Sequence, residues 1–273
     1  MDQCVEFKAD DCTRTIERLR DFIVASIERA RVVEAPFYHL ELERIFPDDI
    51  YSSMLMAMPV ASDYRPLRGQ NSCNVLPDGT HTRVKLDLFP EYIRHLPPEK
   101  RAVWEIVGRA LRCQSVKAAL VRRLGPALAR RFGSDYAEVG MFPIPILTRD
   151  VPGYKIDPHT DTRWKGITVQ LFLPRDASAT HIGTIFHEKL PDGSLPKRAQ
   201  MKFAPNTGYA FAVGADTWHS ADTVGSEVTT RDSILHTYFV DAGALRFLRN
   251  RAKRIGNFVS NEIRRLHASL MQA

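Results

Sequence analysis

Two histidines and an aspartate are the residues of this chain most able to do chemistry. His159-Thr160-Asp161 makes an H-x-D triplet, His219 follows 58 residues after Asp161, and Arg231-Asp232-Ser233 begins twelve residues after His219. Two neutral imidazoles and one carboxylate, presented from one side, hold a divalent iron facially and leave three positions open, which is what oxygen chemistry requires. Such an oxidation also needs electrons, and the usual source is a keto acid that chelates the metal through its keto oxygen and one carboxylate. The second carboxylate of that cosubstrate needs an anchor. Arginine suits the task because its planar guanidinium stays charged and offers paired donors; Arg231 is the candidate, and Ser233 shares its face of a strand.

These residues need elements to hold them. Residues two apart in an extended strand point the same way, so His159 and Asp161 can address one ion while Thr160 turns aside. The gap to His219 suits several strands that return it beside the first pair. GITVQLFL at 166–173, GTIFH at 183–187, QMKF at 200–203, GYAFAV at 208–213 and TRDSILHTYFV at 230–240 are short, β-rich and separated by turn residues. Within the fourth, Tyr209, Phe211 and Val213 alternate with Ala210 and Ala212, as in a strand with two differently packed faces.

The segment PGYKIDPHTD, the pair Gly183-Thr184, the WHS at 218–220 and the RDS at 231–233 resemble, in this order, the iron(II)/2-oxoglutarate-dependent dioxygenase superfamily over roughly residues 137–241. The resemblance implies an α+β chain whose core is a double-stranded β-helix, a jelly roll related to the cupins. It implies His159, Asp161 and His219 as iron ligands, and Arg231 with Ser233 on the distal carboxylate of 2-oxoglutarate, with dioxygen as the second cosubstrate. The acid at Asp161 argues for hydroxylation or desaturation rather than halogenation. Prolyl-hydroxylase-like members carry a tyrosine at the position that is Phe172 here, so that hydroxyl is missing. Thr168 and Gln170 share the face of Phe172; Gln170 either orients the cosubstrate or is a satisfied structural amide.

His181, His187 and His236 lie on or near predicted strands and are rivals to His219, His236 above all. It follows Arg231, whereas the superfamily order puts the arginine last. His39, His81, His95 and His267 lie outside the predicted barrel. Arg163, two residues past Asp161, is placed to meet a substrate carboxylate. The Gly/Pro-punctuated stretch 64–88 packs Arg65, Arg68, Asn71, Asn74, Arg83 and Lys85 into a candidate lid over the barrel mouth, with Arg68 and Asn74 as candidate substrate contacts alongside Trp218. The substrate class that fits is a small polar metabolite, such as an amino acid or a natural-product intermediate. A protein or peptide side chain, and a cupin-type iron enzyme without 2-oxoglutarate, remain alternatives.

With 44% hydrophobic and 26% charged residues in 273, the chain is an ordinary globular one, read as a single domain. Residues 1–136 read as mainly helical support and lid, 137–241 as the jelly roll, and 242–273 as a C-terminal helical segment. A helix is expected from Thr13 to Arg31, another through Met58 capped by Asp48 or Asp49, and one or two between 97 and 132 with a break at Gly125-Pro126. The acidic start MDQCVEFKADD and the lack of an 18-residue apolar run predict a cytoplasmic protein without a membrane anchor. Cys4, Cys12, Cys73 and Cys113 are scattered and predict neither zinc nor disulfides. Residues 100–131 hold nine Lys or Arg against Glu105 alone, and 242–273 hold seven, including Arg251 and Arg254, against Glu262 alone. Neither segment interleaves aromatic residues for base stacking, so solvated helix faces are expected rather than nucleic-acid binding.

Overall fold

A computed structural model describes residues 9–67 and 75–241, together with Val259 and Glu262. The candidate contacts Arg68, Asn71 and Asn74, the C-terminal segment apart from those two residues, and Cys4, Cys73, Arg251, Arg254 and His267 lie outside the described residues.

The strands are β1 (Arg31–Val33), β2 (His39–Glu43), β3 (Arg65–Pro66), β4 (Arg83–Asp87), β5 (Met141–Asp150), β6 (Ile156–His159), β7 (Lys165–Phe172), β8 (Thr184–His187), β9 (Lys197–Gln200), β10 (Thr207–Ala212), β11 (His219–Ala221) and β12 (Arg231–Val240). They form two antiparallel sheets, a larger one in the order β1-β2-β10-β7-β12-β5-β4-β3 and a smaller one in the order β6-β11-β8-β9. From β5 onward the chain crosses between the sheets so that β5, β7, β10 and β12 lie in one and β6, β8, β9 and β11 in the other. That is the winding of a double-stranded β-helix, as expected from the sequence.

The larger sheet has a core on each side. Leu171, Ala210, Ala212, Ile234 and Tyr238 face helices α1 (Ala9–Arg29), α2 (Asp48–Met56), α4 (Pro98–Leu111), α5 (Gln114–Arg123) and α6 (Gly125–Phe132), where Leu19, Ile23, Trp104 and Leu120 are buried. Short α3 (Pro90–Ile93) buries Ile93 there too. Phe172, Tyr209 and Phe211 face the smaller sheet and pack edge-on against Phe186 and Phe203, the geometry that ring quadrupoles favour. The Tyr209/Ala210 alternation is therefore an aromatic face toward the barrel and a small-residue face toward the helices.

Several expectations are corrected. The part before residue 137 is mainly helical, but it also contributes β1 to β4, which extend the larger sheet. His39 is thus a wholly buried strand residue, and Arg83 and Lys85 sit on β4 rather than in a lid loop. The third predicted strand slides from 200–203 to Lys197–Gln200: exposed polar residues make the edge strand, while Met201 and Phe203 leave it to plug the interior. Neither Asp48 nor Asp49 caps α2, whose N-cap is Pro47. Asp48 pairs with Arg44 and Asp49 with Arg18.

Candidate metal centre

His159 ends β6 and His219 opens β11, and the two are direct cross-strand partners with ring centroids 4.4 Å apart. The four strands β7 to β10 fill the interval and return the chain to this register. Each Nδ1–H donates to the backbone carbonyl two residues earlier, Asp157 for His159 and Thr217 for His219, both at 2.9 Å. That fixes the tautomer and leaves both Nε2 lone pairs for a ligand. Asp161 lies just past the end of β6, so the turn into β7 places it rather than strand alternation. The ligand atoms of His159, Asp161 and His219 all lie within 4.8 Å of one another, and among the described residues this is the group able to hold a metal ion.

The electrostatics suit a cation. Burial pushes the Asp161 carboxyl up, but the Lys165 ammonium, His219 and the hydrogen bonds from Lys165 and Thr168 outweigh it and hold it well below the usual carboxylate range. Lys165 Nζ reaches Oδ1 at 2.5 Å, and Thr168 Oγ1 donates to Oδ2 at 2.6 Å. Burial pushes the His219 imidazole down to about 4, against the pull of Asp161, so it is neutral at pH 7. Two imidazole nitrogens and one carboxylate are the donor set that a divalent first-row metal takes with coordination positions left open.

From Asp161 a polar wall runs along the inner face of the larger sheet. Gln170 Nε2 donates to Ser233 Oγ at 2.7 Å, which meets Thr148 Oγ1 at 2.8 Å. The Tyr209 hydroxyl donates to Gln170 Oε1 at 3.2 Å or to Thr184 Oγ1 at 3.1 Å. Burial raises that phenol to about 12, so it stays protonated. The hydroxyl absent at Phe172 is present here from the neighbouring strand. Both ends of the Gln170 amide have partners, one reading entertained for it. Arg231, 1 % exposed, lies beside Phe172 and Phe203 and donates to Ile182 O (2.7 Å), Asp150 Oδ2 (2.8 Å) and, weakly, Thr184 Oγ1 (3.4 Å).

The rival histidines fall elsewhere. His236 is on the opposite face of β12 from Arg231, against Tyr238 and the helices. His187 bonds Ser220 and the Leu195 carbonyl, and exposed His181 faces Glu227. Arg163 and Asp161 line one cavity of about 630 Å³, shared with Tyr38, Arg130, Arg131 and Thr217. Trp218 is not among its lining residues, and Lys189 Nζ sits over its ring at 5.5 Å. The basic residues of 100–131 largely serve the fold: Lys100, Arg101, Arg112, Arg123 and Arg131 donate to backbone carbonyls, and Arg109 and Arg122 pair with Glu105 and Glu28.

Sequence reasoning missed Asp150, Lys165 and Tyr209. No residue-type signal marks them, since each acquires its role from cross-strand register or from the turn after Asp161.

No family model matches the chain, and no curated protein matches it in sequence. Among solved structures it is similar to a prolyl hydroxylase from Trichoplax adhaerens, in complex with a hypoxia inducible factor oxygen degradation domain peptide fragment, at 11% identity over 86% of this chain and 94% of that one (TM-score 0.49). It is similar to a Pseudomonas putida prolyl-4-hydroxylase at 13% identity over 81% and 98% (TM-score 0.47), and to the alpha ketoglutarate dependent epimerase SnoN from nogalamycin biosynthesis at 13% over 83% of each (TM-score 0.46). These are similarities of outline, and the chemistry is read from this chain's own side chains. In this chain a His-Asp-His set lies between the two sheets of a double-stranded β-helix.

Proposed function

We propose that this chain is an iron(II)- and 2-oxoglutarate-dependent oxygenase that hydroxylates or desaturates an unactivated C–H bond of a small polar metabolite, such as an amino acid or natural-product intermediate. In the hydroxylation, one oxygen atom of O2 enters the C–H bond and the other the succinate formed with CO2 from the keto acid. The observation that carries this reading is the convergence of His159, Asp161 and His219 with both Nε2 atoms oriented by backbone carbonyls.

Those three residues would hold the iron, and the group supplies, when bound, the dioxygen chemistry no side chain here can perform. The chain's own contribution is placement. Thr168 fixes the rotation of the Asp161 carboxylate, and Arg231 with Ser233, Gln170, Thr184 and Tyr209 forms a buried donor wall suited to the distal carboxylate of the keto acid. On the side of Thr160 and Asp161, the cavity shared by Arg163, Arg130 and Tyr38 favours a small substrate bearing an anionic group.

The test is anaerobic titration of iron(II)-loaded protein with 2-oxoglutarate, followed by the weak visible metal-to-ligand charge-transfer band, in wild type and Arg231→Ala. A band that weakens in the variant is expected, and metabolites are then screened for succinate release. No band despite bound iron overturns the cosubstrate, and full activity of Arg231→Ala transfers the chain to iron enzymes that use no keto acid.

A further inference from the structure

Arg83 on β4, Asp150 on β5 and Arg231 on β12 are cross-strand partners in one row, Asp150 being opposite Arg83 on one side and Arg231 on the other. Asp150 is fully buried. Its Oδ1 accepts from Arg83 Nε at 2.7 Å, and its Oδ2 accepts from Arg231 Nη1 at 2.8 Å and from Arg83 Nη2 at 3.2 Å. The Arg83 guanidinium lies over the ring of buried Tyr154 at 4.4 Å. One carboxylate is thus shared by two guanidiniums, and the row keeps one positive charge.

A buried pair of Arg231 and Asp150 alone would be neutral and would have little pull on an anion. An excess buried charge is costly unless a counter-charge meets it. Apart from Asp150, Arg231 meets the Ile182 carbonyl, the Thr184 hydroxyl and the Phe172 and Phe203 rings, and the Tyr209, Gln170 and Ser233 groups of the same wall are likewise uncharged. We propose that Arg83 sets the charge of the keto-acid site: by engaging Asp150 it leaves the positive charge of Arg231 for the second carboxylate of the ligand. Arg83 acts through Asp150 and is a positioning residue. The inference rests on the cosubstrate reading above and adds residues which that reading does not require.

The experiment is isothermal titration of Mn(II)-loaded protein, without oxygen, with 2-oxoglutarate and with 2-oxobutyrate, which keeps the chelating keto acid and lacks the second carboxylate. Wild type prefers 2-oxoglutarate. Arg83→Gln lowers that preference roughly 10- to 100-fold, the effect of one unit charge at short range, while 2-oxobutyrate affinity changes by less than about twofold. The double variant Arg83→Gln/Asp150→Asn restores the preference, a rescue that a purely structural role for Arg83 would not give. Arg83→Lys, which keeps the charge if Arg83→Gln does not fold, retains it within about tenfold. An unchanged preference in Arg83→Gln, equal weakening of both ligands, or failure of rescue overturns the role of Arg83 alone. Absence of any preference in wild type overturns the cosubstrate reading with it.

Discussion

At the residue scale, the proposed metal centre depends on what holds His159, Asp161 and His219 as much as on those residues themselves. His159 and His219 are fixed by backbone carbonyls two residues earlier, but Asp161 is oriented by two side chains, and these predict opposite outcomes. Thr168→Val frees one carboxylate oxygen to rotate and should weaken Co(II) binding roughly 10- to 100-fold, the usual cost of losing a partner that orients a metal ligand. Lys165→Met removes an ammonium that competes for Oδ1 and repels the incoming ion, and should tighten Co(II) binding by about tenfold. Titration followed by the cobalt visible bands measures both. A Thr168→Val protein with wild-type affinity would show that Asp161 needs no orienting partner, and weaker binding in Lys165→Met would mean that the ammonium positions the carboxylate more than it competes for it.

At the element scale, β8 carries Thr184 to the donor wall only because it approaches the 201–203 segment closely. A Cβ on Gly183 would stand 1.4 Å from the Met201 carbonyl oxygen, a backbone atom that cannot move aside without displacing the segment that follows β9. Gly183→Ala should therefore cost about 2 to 4 kcal/mol in chemical denaturation; a loss below about 0.5 kcal/mol would mean that the two segments separate freely. Strands β7, β8, β10 and β12 were legible because they alternate or run apolar between turns, while β5 was not among the predicted runs. Nor was β4, and the reason is physical. Its apolar residues Val84 and Leu86 face the helical core, while Arg83, Lys85 and Asp87 lie on the other face in an ion-pair network. Charged residues facing a barrel interior read, from sequence, as a solvated loop.

At the scale of the whole molecule, the helical core buries a titratable ring with consequences for stability. His236 is enclosed among Tyr238 and the helices, and burial pushes its imidazole down to about 3 against the pull of the Leu111 backbone. Its folded value lies below its unfolded value of about 6.5. Above pH 6.5 both states are neutral and the ring makes no pH-dependent contribution. As pH falls below 6.5 the unfolded chain takes the proton first, and stability is lost progressively until pH reaches the folded value. The penalty is about 2 kcal/mol at pH 5. His236→Leu should thus gain on wild type as pH falls from 7 to 5, read from unfolding midpoints by calorimetry; a difference independent of pH would show that His236 takes up its proton in the fold as readily as in the unfolded chain. Among the described residues no helix is long and apolar enough to cross a membrane.

The sequence by itself offered the candidate donors, since residue type and order along the chain pick out His159, Asp161, His219 and Arg231, and the alternation within its apolar runs predicted two-faced strands; the double-stranded β-helix was implied by the family resemblance and is the winding the two sheets have. The tertiary structure decided everything that depends on register between distant strands. It set His219 opposite His159 and removed His236 to the other face of β12. It brought the Tyr209 hydroxyl beside Gln170 where Phe172 offers none, and joined Arg83 to Arg231 through Asp150 across 148 residues of chain. Such contacts are fixed by cross-strand pairing, and a shift of one residue would turn every one of them to the opposite face.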